Sequence, residues 1–114
     1  MSTTNDILNK SLVGRQLSAV TFVMDYFQFH FDDSRLTVYS LPIATTGEPI
    51  ISNFRDRLCA FIGRDVTFAE EVLDIALNID FGTFGRITIP LDEESRVTVE
   101  VAELSQAGTS VLMW

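Results

Sequence analysis

Apolar and polar residues alternate along this chain in short runs, and the runs come in groups. Phe27, Phe29 and Phe31 fall on one side of an extended segment while Tyr26, Gln28 and His30 fall on the other, which is the period of a half-buried strand. Leu77, Ile79 and Phe81 alternate with Asn78 and Asp80 in the same way, and Ile87, Ile89 and Leu91 with Thr88 and Pro90. With turns at Asp32-Asp33-Ser34 and Gly82-Thr83-Phe84-Gly85, the pattern predicts strands near 15–23, 26–32 and 35–41, then near 65–71, 75–81 and 86–91. Val97, Val99 and Val101 against Thr98 and Glu100 predict a further strand, and Val111 to Trp114 a terminal one.

The period changes twice. Ile50 or Ile51, Phe54, Leu58 and Phe61 recur at helical steps, opened by Glu48-Pro49 and closed by Gly63. A shorter helix is expected from Asn5 to Leu12, with Thr3, Thr4 or Asn5 as its cap. Each meander is thus preceded by a helix, and the order repeats. Leu12-Val13-Gly14-Arg15 returns as Phe61-Ile62-Gly63-Arg64, Asp25 as Asp74, and Arg35-Leu36-Thr37-Val38 as Arg86-Ile87-Thr88-Ile89. The spacing grows by one residue at each turn, as insertions at turns or bulges would make it. The expected fold is α+β: mainly antiparallel sheet built from two pseudo-repeated three-stranded meanders, with the helices on one face. The copies run from about 5 to 44 and 48 to 91, Thr45-Thr46-Gly47 joins them, and 92–114 is an acidic extension of one domain spanning 1–114.

Some of these landmarks carry a resemblance. Leu12 to Arg15, Val20 to Phe29 with its Asp25-Tyr26-Phe27-Gln28, and Phe54 to Gly63 with its Arg55-Asp56-Arg57-Leu58-Cys59 resemble a family of small uncharacterised bacterial proteins. That family, a domain of unknown function with an immunity-protein-like character, has the same Gly-Arg corner, an Asp-Tyr-x-Gln strand end, an Arg-Asp-x-Leu-Cys helix and often a C-terminal Trp, here Trp114. The resemblance brings no catalytic residue, and the stretch from Asp92 to Gln106 departs from it by being richer in acids.

Composition narrows the classes. The 114 residues are 46% hydrophobic with nine Phe, enough for a core without metal or disulfide, and Cys59 is the single cysteine. No basic leader followed by an apolar stretch begins the chain, and no run approaches a membrane span, so the cytoplasm is the expected compartment. The net charge of −8 argues against nucleic acid and anionic membrane as partners. It is also unevenly placed: residues 1–64 carry six acids and six bases, whereas residues 65–114 carry ten acids and only Arg86 and Arg96 as bases. Glu70, Glu71 and Asp74 form one group and Asp92, Glu93 and Glu94 another, with Glu100 and Glu103 beyond. Two readings stand side by side: an acidic docking face for a basic protein, and a solvated rim that keeps a Phe-rich domain soluble. Asp92-Glu93-Glu94 lacks the ligand spacing and glycine of a calcium loop, so no metal is expected, nor any cofactor.

Enzyme signatures are sparse. His30 is the only histidine and is read as a half-exposed strand residue; Cys59 is read as a small core residue beside the helical stripe. Arg55, Arg57 and Arg64 are interleaved with Asp56 and Asp65, which favours pairing within the chain. The sequence therefore points to a non-enzymatic protein-binding module, most concretely an immunity or antitoxin-type inhibitor of a basic toxin such as a nuclease. Glu70, Glu71, Asp74, Asp92, Glu93 and Glu94 are the expected contact residues, with Phe84 and Trp114 as anchors. The alternative partner is a second copy of the chain.

Overall fold

The structure, a computed structural model, describes residues 3–46, 54–92 and 101–114. Its helix α1 runs over Thr3–Leu12, with Asp6 in the first turn and Lys10 in the last, each suited to the helix dipole. Leu8, Ser11 and Leu12 lie on its buried stripe. Helix α2 covers Phe54–Cys59 and tightens into turns through Ala60 to Gly63. The expected start of this helix at Glu48 to Ile51 lies outside the described residues. Both helices end on a glycine with positive φ, Gly14 at 84° and Gly63 at 90°.

The strands are β1 (Ala19–Phe22), β2 (Phe27–Phe31), β3 (Ser34–Val38), β4 (Ile43–Thr46), β5 (Phe68–Val72), β6 (Ala76–Asp80), β7 (Gly85–Pro90), β8 (Ala102–Gln106) and β9 (Thr109–Met113). Among the described residues they form two antiparallel sheets: β1-β2-β3-β8-β9 and β4-β7-β6-β5. The α+β, antiparallel character is as expected, and β1-β2-β3 and β5-β6-β7 are each a three-stranded meander.

Three expectations change. Residues 15–18 and 65–67 are not continuous with β1 and β5; they pair with each other. The Gly14 amide donates to Val66 O at 2.8 Å and Val66 N–H to Arg15 O at 2.9 Å, while the Gly63 amide donates to Leu17 O at 2.8 Å and Leu17 N–H to Arg64 O at 3.0 Å. Gln16 and Asp65 form the antiparallel bridge at the centre of this crossing. Thr45 and Thr46 are not a linker but part of β4, which crosses to the second sheet and pairs with β7. Gly85 lets that strand approach, since a Cβ there would collide with the Thr45 carbonyl oxygen. The acidic segment 92–114 is not an extension but holds β8, paired with β3, and β9, which begins at Thr109. Of the strand expected at Val97 to Val101, all but Val101 lies outside the described residues, and Val101 itself precedes β8.

The apolar faces of both sheets feed one cluster. Phe29, Leu36 and Leu104 come from the first, Leu77, Ile79 and Ile87 from the second, and Leu8, Leu12, Leu58 and Phe61 from the helices and their ends. At about 25 cal/mol per Å² of apolar area removed from water, such side chains are the main favourable contribution to folding. Phe61 sits between the sheet ends, with Phe81 and Phe84 each 5.0 Å away in edge-to-face geometry.

Candidate functional site

The expected contact residues do not share one surface. Glu70 and Glu71 are neighbours on β5, and a strand turns successive side chains to opposite faces. Glu70 lies in the cross-strand row with Asn78 and Thr88, where Asn78 Nδ2 donates to its Oε1 at 3.4 Å. Glu71 lies in the row of Leu77 and Ile89, at the edge where its amide donates to Asn5 Oδ1 at 2.7 Å. Asp74 is in the β5–β6 turn, exposed and with φ at 61°. Asp92 follows β7 at the same end. Glu93 and Glu94 lie outside the described residues.

One backbone hydrogen bond joins two of these sites: Leu91 N–H donates to Ile75 O at 2.9 Å, so Asp92 and Asp74 flank a shared contact. The same end of the molecule can be traced onward. Ser40 Oγ donates to Pro90 O at 3.1 Å, Tyr39 N–H donates to Val101 O at 2.7 Å, Val101 N–H donates to Trp114 O at 2.7 Å, and the Tyr39 ring lies 5.7 Å from that of Tyr26. The β1–β2 turn, the chain after β3, the end of β7, the β5–β6 turn and the C-terminal residue thus meet. Large apolar side chains are exposed there: Met24 at 91%, Leu73 at 74%, Leu41 at 63% and Ile75 at 62%. Single exposed apolar residues are ordinary; here four lie on linked segments at one end of the domain.

The two aromatic anchors separate. Trp114 is half-buried against the core at this end. Phe84 is in the β6–β7 turn at the opposite end of β6 from Asp74, packed on Phe61 with the Arg64 guanidinium 4.1 Å from its ring centroid.

The Arg55 and Arg64 guanidiniums lie over the rings of Phe22 and Phe84. The ion pairs among the described residues are Arg15 with Asp32 and Asp33, and Arg86 with Asp80. Arg86 Nη2 donates to Asp80 Oδ2 at 3.1 Å, and its hydrogen bonding to Asp80 holds the guanidinium above its ordinary pKa against a smaller effect of burial. This pair occupies an open groove of about 660 Å³ that Thr45 and Thr88 also line.

His30 is half-buried on β2, with Nε2 2.9 Å from Thr21 Oγ1. Burial, and secondarily the charge of Arg35, push its pKa below the ordinary value of 6.5. Cys59, expected in the core, is exposed, because Leu58 occupies the inward position and the next residue of a helix lies about 100° away. Among the described residues no three His, Cys, Asp or Glu side chains gather as a metal site, and no helix is long and apolar enough to cross a membrane. Comparison with protein-family models, with curated proteins and with solved structures gave no match.

Proposed function

We propose that this protein is a non-enzymatic protein-binding module, most concretely an immunity or antitoxin-type inhibitor that docks on a basic protein such as a toxin nuclease. The observation that carries this reading is the Leu91–Ile75 backbone bond, which sets Asp74 and Asp92 around the exposed side chains of Leu73 and Ile75. Apolar side chains supply contact area, and carboxylates around them occupy cationic sites of the partner that otherwise receive phosphate. Leu73, Ile75 and Met24 take the anchoring role expected of Phe84; Trp114 keeps a place at the same end. The reading also takes the two helix-plus-meander units as pseudo-repeated copies with different surfaces. It is supported by the matching glycine corners and by the charge surplus of residues 65–114.

The test is affinity capture from the native organism with the wild type, with Asp74→Lys/Asp92→Lys, and with Leu73→Asp. The wild type is expected to retain one basic protein in equal amount, less at higher salt, and both variants to lose it without losing their fold. Equal capture by all three, or a salt-insensitive dimer of this chain with no basic protein, would overturn the proposal.

A further inference from the structure

Each sheet has as one edge the first strand of its meander, β1 in one and β5 in the other. The two edges are finished differently. Ala69 and Glu71 of β5 turn their amides away from β6, and α1 receives them: Ala69 N–H donates to Asn9 Oδ1 at 3.0 Å, Glu71 N–H donates to Asn5 Oδ1 at 2.7 Å, and Asn9 Nδ2 donates back to Ala69 O at 2.6 Å. Two side-chain amides thereby fill the positions where another strand would bind. A sheet edge covered in this way cannot template further pairing.

Among the described residues nothing equivalent closes β1. Val23 and Tyr26 form a hydrogen-bonded pair, with Val23 N–H donating to Tyr26 O at 2.9 Å. Antiparallel alternation then points Thr21 toward β2 and leaves the N–H and C=O groups of Val20 and Phe22 facing outward. Among the described residues no group bonds them there. The helix near this edge is α2, which offers buried Leu58 and lays the Arg55 guanidinium 5.5 Å from the Phe22 ring centroid. Ala19-Val20-Thr21-Phe22 itself has no charge and no proline to discourage pairing.

The charge around this edge selects what fits it. Neither β1 nor β2 carries a carboxylate. Arg55, by contrast, stands on the side of Phe22, its guanidinium against the ring of the edge strand. We propose that the β1 edge accepts an extended segment of a partner protein, whose backbone pairs with Val20 and Phe22 and whose acidic side chains face Arg55. This site is distinct from the acid-rimmed apolar end and takes a partner of opposite charge, so it stands whether or not that end binds a basic protein.

The test uses the full chain and a displayed library of random heptapeptides. Selected peptides are expected to carry Asp or Glu at alternate positions. A synthetic peptide of the selected sequence should slow amide exchange at Val20 and Phe22 by about tenfold or more and leave Ala69 and Glu71 unchanged. Val20→Pro removes one outward donor without touching the β1–β2 ladder and should weaken binding by about tenfold with the thermal midpoint kept. Should that variant fail to fold, Arg55→Glu decides instead, by losing the acidic peptides. A neutral or basic consensus, a footprint on β9 or at Asp74, or unchanged binding in these variants would overturn the proposal. So would protection of Val20 and Phe22 that rises with protein concentration alone, which would assign the edge to a second copy.

Discussion

Asn9 bonds both backbone polar groups of Ala69: its Nδ2 donates to the Ala69 carbonyl oxygen at 2.6 Å and its Oδ1 accepts from the Ala69 N–H at 3.0 Å. The residues are sixty positions apart in the chain. A helix side chain thus does what a neighbouring strand does in the interior of a sheet. Asn9→Ala should destabilise the fold by about 1–3 kcal/mol, the cost of leaving partly buried backbone groups unbonded. Chemical denaturation measures the loss, and amide exchange at Ala69 should quicken while exchange at Ile79, in the middle of the sheet, changes only with global stability.

Gly63 and Gly85 should respond unequally to alanine. At Gly63 an added Cβ meets nothing within 4 Å, so the cost comes from holding φ at 90° and should be about 1–2 kcal/mol. At Gly85 the Cβ collides with the Thr45 carbonyl oxygen, which can yield only if β4 moves off β7. Gly85→Ala should therefore be the more destabilising in parallel thermal melts, and its nuclear magnetic resonance shifts should concentrate in Ile43 to Thr46.

His30 makes stability depend on pH in a stated direction. Its folded pKa lies below 6.5 because burial and then Arg35 disfavour the cation. The unfolded chain therefore binds more protons, so this contribution is complete above about pH 6.5 and is lost as pH falls through the folded value. His30→Gln should flatten the slope of thermal midpoint against pH in that window. In a titration followed by the imidazole resonances, Arg35→Ala should raise the His30 pKa only part of the way, since burial is the larger cause.

Phe61→Ala should be among the most damaging substitutions. Phe61 is fully buried and holds the rings of Phe81 and Phe84, and phenylalanine truncations in cores cost about 3–5 kcal/mol. Arg64→Ala, which removes the cation from the Phe84 ring at an exposed site, should cost about 0.5–1 kcal/mol, so the two denaturation midpoints should separate clearly.

Which parts of this architecture were legible beforehand follows from how local each signal is. The meander strands were readable because the period of two in residues such as Phe27, Phe29 and Phe31 lies within a few positions. The glycine corners were readable because a helical stripe that stops at Gly14 or Gly63 already indicates a left-handed residue. β4 was missed: Ile43–Thr46 is four residues long, and its partner β7 lies some forty positions away. β8 was missed although Ala102 and Leu104 alternate into the core: it is five residues long, and its partner β3 lies more than sixty positions away. In the candidate site, Glu70 and Glu71 were grouped because they are adjacent in sequence, yet adjacency on a strand is what sends them to opposite faces.

The sequence by itself determined the two meanders, the helices and the uneven charge, since period, turn chemistry and composition act over short stretches of chain. Only the tertiary structure decided the partition into two sheets, the crossing of Gln16 and Asp65, the convergence of Asp74 with Asp92, and the closure of the β5 edge but not that of β1. Each of these is set by hydrogen bonds and packing between residues far apart in the chain, and such pairings leave no periodic trace in either segment taken singly.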